Sequence, residues 1–274
     1  MARIASLSVL TTPSGNDYLA EQYGAVIANV QKEGISAQVK NTALSGTPAA
    51  GTVEAKRFQN RTSNAYGTAR SGGAGQKVTA VPVTISINVD KELITEVEEK
   101  DVALYGVDAF VEKQTAMDQK SMIRELERAF WNEAATAGTA VSLQGTTAEE
   151  KAEELIQAVE TVSNDYVDGV DRDMIHLVCK PAFFGQLRTY MDKVQDGGAK
   201  GEEVGYFHGV AVHSSVYLPA GINTGIAIAE GAIAQPVLPT VAPAQKIPLS
   251  NATAFGLFYS YGTKAVAADL IMKD

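Results

Sequence analysis

Few side chains in this 274-residue chain are suited to chemistry. The three histidines are His176, His208 and His213, and the single cysteine is Cys179. His208 and His213 stand five apart with no carboxylate between them, which does not fit a His-Glu-x-x-His zinc helix. Zinc takes closely spaced Cys and His ligands, so His176 and His213 read as strand residues hydrogen-bonded in sheets and His208 as a loop residue. Asp165, Asp168, Asp171 and Asp173 surround Gly169. A calcium loop needs ligands at alternate positions and a correctly placed glycine, and here the spacing is wrong, so the cluster reads as a solvated loop. Cys179 would need a base beside it. His176, three residues away, would point from the opposite face of a strand, so a buried structural thiol is expected. Phosphate-cradling glycine loops and the G-x-S-x-G elbow are both missing. The sequence therefore leads to an expectation of no catalytic residue, no cofactor and no metal.

The charge pattern says more. The chain carries 23 Lys+Arg and 32 Asp+Glu, a formal net of −9. Residues 46–89 hold Lys56, Arg57, Arg61, Arg70 and Lys77 against Glu54 alone, a net of +4. Residues 90–108 hold seven acids, including Glu92, Glu96, Glu98, Glu99 and Asp101, against Lys91 and Lys100, a net of −5. The acidic excess and scarce aromatics in the basic segment argue against sequence-reading of nucleic acid. No uninterrupted apolar stretch is long enough for a membrane helix. Residues 4–10 have the lower-limit length of a signal h-region, but Ser6 and Ser8 in its core argue against a cleaved signal peptide. One cysteine forms no internal disulfide, which fits a reducing compartment.

The elements that would carry these charges are mixed α+β. Asp17 to Gln31 has helical spacing and reads as a short helix within an extended arm. Thr52 to Gln59 and Lys77 to Val89 read as two strands of a long hairpin, with a Gly/Ser/Thr-rich tip between them. Pro82 confines its strand to an edge. Such a ribbon is marginal by itself and must lie on something. Residues 108–137 predict a long spine helix with Phe110, Met117, Ile123, Leu126, Phe130, Ala134 and Ala137 on one stripe, Asp108 capping it and Gly138 ending it. Thr147 with Glu150 forms a capping box for a helix over 147–164. Strands are expected at 174–179, 210–214, 225–229, 253–261 and 264–272, and a helix opens at Pro181. Residues 192–205 read as an exposed loop.

Three stretches carry a resemblance. The first is Val83-Thr84-Ile85-Ser86-Ile87-Asn88-Val89-Asp90-Lys91 with Glu98-Glu99-Lys100-Asp101, ahead of Met122-Ile123-Arg124-Glu125-Leu126-Glu127-Arg128-Ala129-Phe130. The second is Ile175-His176-Leu177-Val178-Cys179-Lys180-Pro181 leading to Leu187. The third is Gly209-Val210-Ala211-Val212-His213-Ser214-Ser215, then Leu218-Pro219-Ala220-Gly221, then Ile226-Ala227-Ile228-Ala229. Their order resembles the major capsid proteins of tailed bacteriophages, with the Hong Kong 97-type fold.

That resemblance implies an N-terminal arm over 1–45, an extended E-loop over 46–89 and a P-domain with the spine helix over 90–144. It further implies an A-domain over 145–248 and a return to the P-domain over 249–274. It implies copies of the chain assembling as hexamers and pentamers into an icosahedral shell around packaged DNA. The virion would be assembled in the host cytoplasm, without membrane contact. Portal and decoration proteins are further implied partners. Because the arm before the E-loop is short, any scaffolding protein is expected to be a separate chain. With Lys56 and Lys77 on strands and Arg70 at the tip, covalent cross-linking is not expected. Since the family's E-loop lies across a neighbour, the charge asymmetry suggests inter-subunit contact. Arg57, Arg61, Arg70 and Lys77 of one copy would face Glu96, Glu98, Glu99 and Asp101 of the next. The bland reading is that these charges simply solubilise a polar loop. Two functional alternatives stand beside the phage capsid: an encapsulin-like nanocompartment, and an enzyme whose site is assembled from several chains.

Overall fold

A computed structural model describes residues 6–63, 65–66, 77–102, 106–194 and 205–274. Helices are α1 (Pro13–Glu33), α2 (Ile35–Val39), α3 (Val107–Ala137), α4 (Ala148–Glu160) and α5 (Pro181–Val194). A one-turn helix, Glu99–Val102, stands between the ribbon and α3. Strands are β1 (Leu44–Ser45), β2 (Thr52–Phe58), β3 (Ala80–Ser86), β4 (Val89–Glu98), β5 (Thr139–Ala140), β6 (Ile175–Cys179) and β7 (Tyr206–Phe207). They continue as β8 (Val210–Ser214), β9 (Gly225–Ala229), β10 (Ile233–Ala234), β11 (Val237–Lys246), β12 (Ala252–Tyr261), β13 (Lys264–Ala265) and β14 (Ile271–Lys273).

Two sheets organise the body. One is three-stranded, ordered β11-β12-β4 and antiparallel throughout. Its inner face sets Phe255, Leu257, Tyr259 and Tyr261 against Leu19, Tyr23, Val26 and Val30 of α1 and Val111, Met122 and Leu126 of α3. The other is six-stranded, ordered β5-β14-β9-β6-β8-β7. One of its faces packs Ile175, Leu177 and Cys179 against Leu155, Ile156 and Val159 of α4 and Leu187 of α5. Its other face packs Val178, Ile226, Ile228 and Ile271 against Phe130, Trp131 and Ala134 of α3. The long α3 thus touches both sheets, as expected for a spine.

Several expectations change. The arm is not mainly extended: α1 runs 21 residues, its first turn capped by Thr12 and entered through Pro13. Gly15 and Gly24 weaken its helical pattern, and packing on α3 supplies what propensity lacks. The buried stripe of α3 is Val107, Val111, Thr115, Asp118, Met122, Leu126, Phe130 and Ala134. Met117, expected on the stripe, is 56% exposed. The stripe was hidden by its own polar members, because Asp118 and Glu127 are 5% and 2% exposed. Tyr23 Oη donates to Asp118 Oδ2 at 3.0 Å, and Glu127 accepts from Ser36 N at 2.7 Å and from Trp131 Nε1 at 2.6 Å. Asp108 is not the cap; Gly106 occupies that position, with no side-chain cap.

The expected strand over 77–89 breaks after Ser86, where Ile87 N donates to Gly51 O at 2.8 Å. β3 stays in the ribbon and β4 joins the three-stranded sheet. The strand expected over 264–272 is interrupted by a 3-10 turn at Ala268–Leu270. β11 was unforeseen, since Pro239 and Pro243 lie inside it. It is an edge strand, and its pairing shifts register between Ala242 and Gln245, around Pro243. Edges and bulges are where a sheet accepts proline. The capping box at α4 forms as expected, with Thr147 accepting from Glu150 N and Glu150 accepting from Thr147 N.

Candidate subunit interface

The basic ribbon is anchored at its base. Side chains alternate across β2: Val53 and Ala55 turn inward and, with Ile85 of β3, bury against Ala234. Arg57 follows on that same inward face. Its guanidinium makes a bidentate pair with Asp269, 2.6 Å on each arm, and lies 4.6 Å over the Tyr166 ring. Asn164 Nδ2 also donates to Asp269, at 2.5 Å, and Asn60 N donates to Asp165 O at 2.8 Å. Partial burial pushes the Asp269 carboxyl up, but Arg57 and Asn164 outweigh it and hold the carboxyl below the ordinary aspartate value. Arg57, expected to face a neighbour, is thus satisfied within its own chain. The aspartate-rich loop read as merely solvated is part of the ribbon's seat.

The other basic residues divide. Arg61 and Lys77 are exposed beyond the ribbon's paired region, while Arg70 lies outside the described residues. Phe58 (58% exposed), Val78 (66%) and Val81 (42%) accompany them as surface apolar groups.

The acidic set lies on β4 and the turn after it. Successive strand residues alternate faces. Val97 points into the core while Glu92, Ile94, Glu96 and Glu98 share the outer face. Glu98 pairs with Lys100 at 2.6 Å, both largely exposed; Glu99 and Asp101 are exposed as well. β4 is an edge strand in full register with β12, setting Glu96 opposite Ala254, Ile94 opposite Gly256 and Glu92 opposite Phe258. Ile94, Phe258, Ala242, Pro243 and Ala254 line a hollow of about 250 Å³ on this uncovered face. At Gly256 a Cβ would sit 2.0 Å from Leu93 O, so only glycine lets β4 and β12 approach there. Among the expected contact residues, the structure therefore sets Glu96 and Glu98 on one outer strand face, followed by the exposed Glu99 and Asp101, and leaves Arg61 and Lys77 exposed beyond the paired strands.

The histidines are bound into the second sheet. His176 Nδ1 and His213 Nε2 are 3.2 Å apart across the parallel β6–β8 pair, their rings stacked at 5.5 Å. Burial lowers the pKa of both, and His176 lowers that of His213 further. The sequence places both on strands, but their mutual contact needed the register. His208 forms the tight β7–β8 turn with Gly209, at φ 49° and 89°. It stacks on Phe207 and meets Glu153 at 2.9 Å. Glu153 is pulled down to about 2, first by Arg172, with His208 and Gln157 adding to it against a burial cost. Arg172 also pairs with Glu160 at 2.8 Å, so one guanidinium ties α4 to the approach to β6. Cys179 is fully buried, and burial pushes its thiol up to about 12, which suppresses the reactive thiolate. Among the described residues, no group of three or more His, Cys, Asp or Glu is arranged to hold a metal ion, and no helix is long and apolar enough to cross a membrane.

The combination of ribbon, spine helix and two sheets defines the class. No family model matches the chain, and no curated protein matches it. Solved structures do. A chain described as Mycobacterium phage Che8 aligns at TM-score 0.60 and 13% identity, over 100% of this chain and 92% of that one. A virus-like particle from Pyrococcus furiosus aligns at 0.59 and 14%, over 93% and 98%. The capsid structure of the cyanophage P-SCSP1u aligns at 0.58 and 12%, over 86% and 85%. The chain has the Hong Kong 97-type capsid fold expected from its sequence.

Proposed function

We propose that this protein is the major capsid protein of a tailed bacteriophage, a structural subunit that assembles into a closed shell around the genome. The fold, shared along the whole chain with the Che8 phage chain, carries the reading. On it, residues 1–45 serve as the N-terminal arm, 46–89 as the E-loop, 90–144 as the P-domain, 145–248 as the A-domain and 249–274 as the return to the P-domain. Copies of the chain are its principal partners, in hexamers and pentamers. The shell is a virion component. A separate scaffolding protein, a portal and decoration proteins belong to the same proposal.

The subunit contact follows from charge. The exposed Arg61 and Lys77, together with Arg70, meet Glu96, Glu98, Glu99 and Asp101 of an adjacent copy. Arg57 contributes indirectly, by holding the paired strands of the ribbon on Asp269. Exposed pairs contribute only about 0–1 kcal/mol each, so their role is register and partner choice. The A-region's paired histidines and inert cysteine suit a structural role rather than catalysis.

Electron microscopy of the purified protein tests the reading. Uniform closed shells or ring-shaped capsomers are the expected result; a monomer at every concentration overturns it. Exchanging Arg61→Glu and Arg70→Glu together should weaken assembly most at low salt. Unchanged assembly at low and high salt would discard the charge contact. A nanocompartment is the second reading, favoured by the near-complete coverage of the Pyrococcus furiosus particle chain. Enclosed nucleic acid supports the first reading, and enclosed protein cargo supports the second.

A further inference from the structure

The tip of the β11–β12 hairpin holds a residue that its backbone does not suit. Ser250 N donates to Ile247 O at 3.2 Å, which closes a four-residue turn with Pro248 and Leu249 at its centre. Leu249 has φ +60°. Proline then a left-handed residue is the pattern of a type II turn, whose third position calls for glycine or asparagine. A leucine there carries a backbone penalty of about 1–2 kcal/mol. Its side chain is also fully exposed, at 109% of the reference area, so among the described residues none covers it to offset the strain. Gly would suit both the backbone and the solvent better.

The same hairpin carries a matching recess. The hollow lined by Ile94, Ala242, Pro243, Ala254 and Phe258 opens on the outer face of the sheet. Glu92 and Glu96 of β4 lie opposite Phe258 and Ala254 on that face, so its rim is acidic. Lys246, exposed, stands three residues before Leu249, so the tip is apolar and basic. The knob does not occupy its own recess, since Leu249 is fully exposed and absent from the recess lining. The ladder runs through Gln245↔Ala254 and Lys246↔Thr253, and the turn then carries Leu249 off the end of the sheet.

We infer that Leu249 of one copy seats in the Ile94–Phe258 recess of a second copy, with Lys246 facing Glu92. The contact joins two different patches of one surface, so it is heterologous and closes into a ring when the rotation permits. It rests on the self-assembling reading above, and is separate from the ribbon contact. Binding supplies the apolar surroundings that the exposed leucine lacks, and offsets the strain that glycine would not carry.

Two measurements on the full-length chain test it. Leu249→Gly relaxes the turn and removes the knob. The unfolding midpoint should hold or rise, while the yield of closed shells falls about ten-fold or more, equivalent to about 1.4 kcal/mol lost at the contact. In the second, a Leu249→Cys chain and a size-tagged Ala254→Cys chain are co-assembled and oxidised; the buried Cys179 needs no replacement. A tagged–untagged heterodimer is expected on a non-reducing gel. Shells at undiminished yield from Leu249→Gly, or no heterodimer, overturn this contact alone. A heterodimer formed instead between Phe58→Cys and Ala254→Cys chains assigns the recess to the ribbon and also overturns it. Absence of assembly by the wild-type chain overturns the self-assembling reading and this contact with it.

Discussion

The two sheets of the body are built on opposite plans. In the six-stranded sheet, β9 is buried at all five positions, with α4 and α5 on one face and α3 on the other. In the three-stranded sheet, β4 and β12 bury one face against α1 and α3 and leave the other to solvent. The first is complete in one chain. The second exposes Ile94 and Phe258 beside a row of carboxylates, a surface that gains from a partner. A substitution in the closed sheet should therefore be read in folding, and one on the open face in assembly.

Trp131→Ala should break the closed region hardest. Trp131 is fully buried edge-to-face with Phe130 at 4.9 Å, and its Nε1–H holds Glu127. A loss of about 3–5 kcal/mol is expected, measured by denaturant unfolding.

Arg172→Ala should cost less, about 1.5–3 kcal/mol, because Glu153 and Glu160 lose a shared partner that is itself partly exposed. Its pH signature has a definite sign. Glu153 is near 2 in the folded protein against an ordinary 4.5, so its contribution is complete above about pH 4.5 and is lost as pH falls toward 2. Acid unfolding of Arg172→Ala should accordingly show a shallower fall through that window. A slope equal to wild type would detach the network from acid stability.

The histidine pair gives a second window. Both imidazoles have folded pKa values below the ordinary 6.5, so the folded state takes up protons less readily than the unfolded one. Stability should be lost as pH falls through about 6.5. His213→Gln should flatten that dependence while leaving stability at pH 8 within about 1 kcal/mol.

Phe258→Ser sharpens the contrast from the other side. At 44% exposure it should change folding by no more than about 0.5 kcal/mol, yet reduce shell yield. Failure to fold would place Phe258 with the core and erase the distinction drawn between the sheets.

How much of this was legible depends on which plan an element follows. The capping box, the buried strand expected over 174–179, the Pro181 helix start and the first ribbon strand follow local rules and were read correctly, whereas the second ribbon strand, expected to run to Val89, ends at Ser86 because the next strand pairs in another sheet. α3 was read as a helix but with its stripe misplaced. Its inner face carries Asp118 and Glu127, and a carboxylate counts as buried only when Tyr23, Ser36 and Trp131 are known to meet it. β11 was missed because its prolines fit only an edge with a bulge, which is a property of the sheet. The candidate interface was half legible. Composition located the basic and acidic segments, but the partner of Arg57 lies 212 residues away at Asp269.

From sequence alone came the α+β class, the order of elements, the charge asymmetry and the family resemblance, because each rests on residues close together in the chain. Only the tertiary structure decided that Arg57 is bound at home, that Glu92, Ile94, Glu96 and Phe258 share one open face, and that Leu249 stands strained beyond it. Those facts depend on strand register and on contacts between distant segments. A one-residue change of register turns every side chain to the other face, and no local pattern specifies which face a second copy would find.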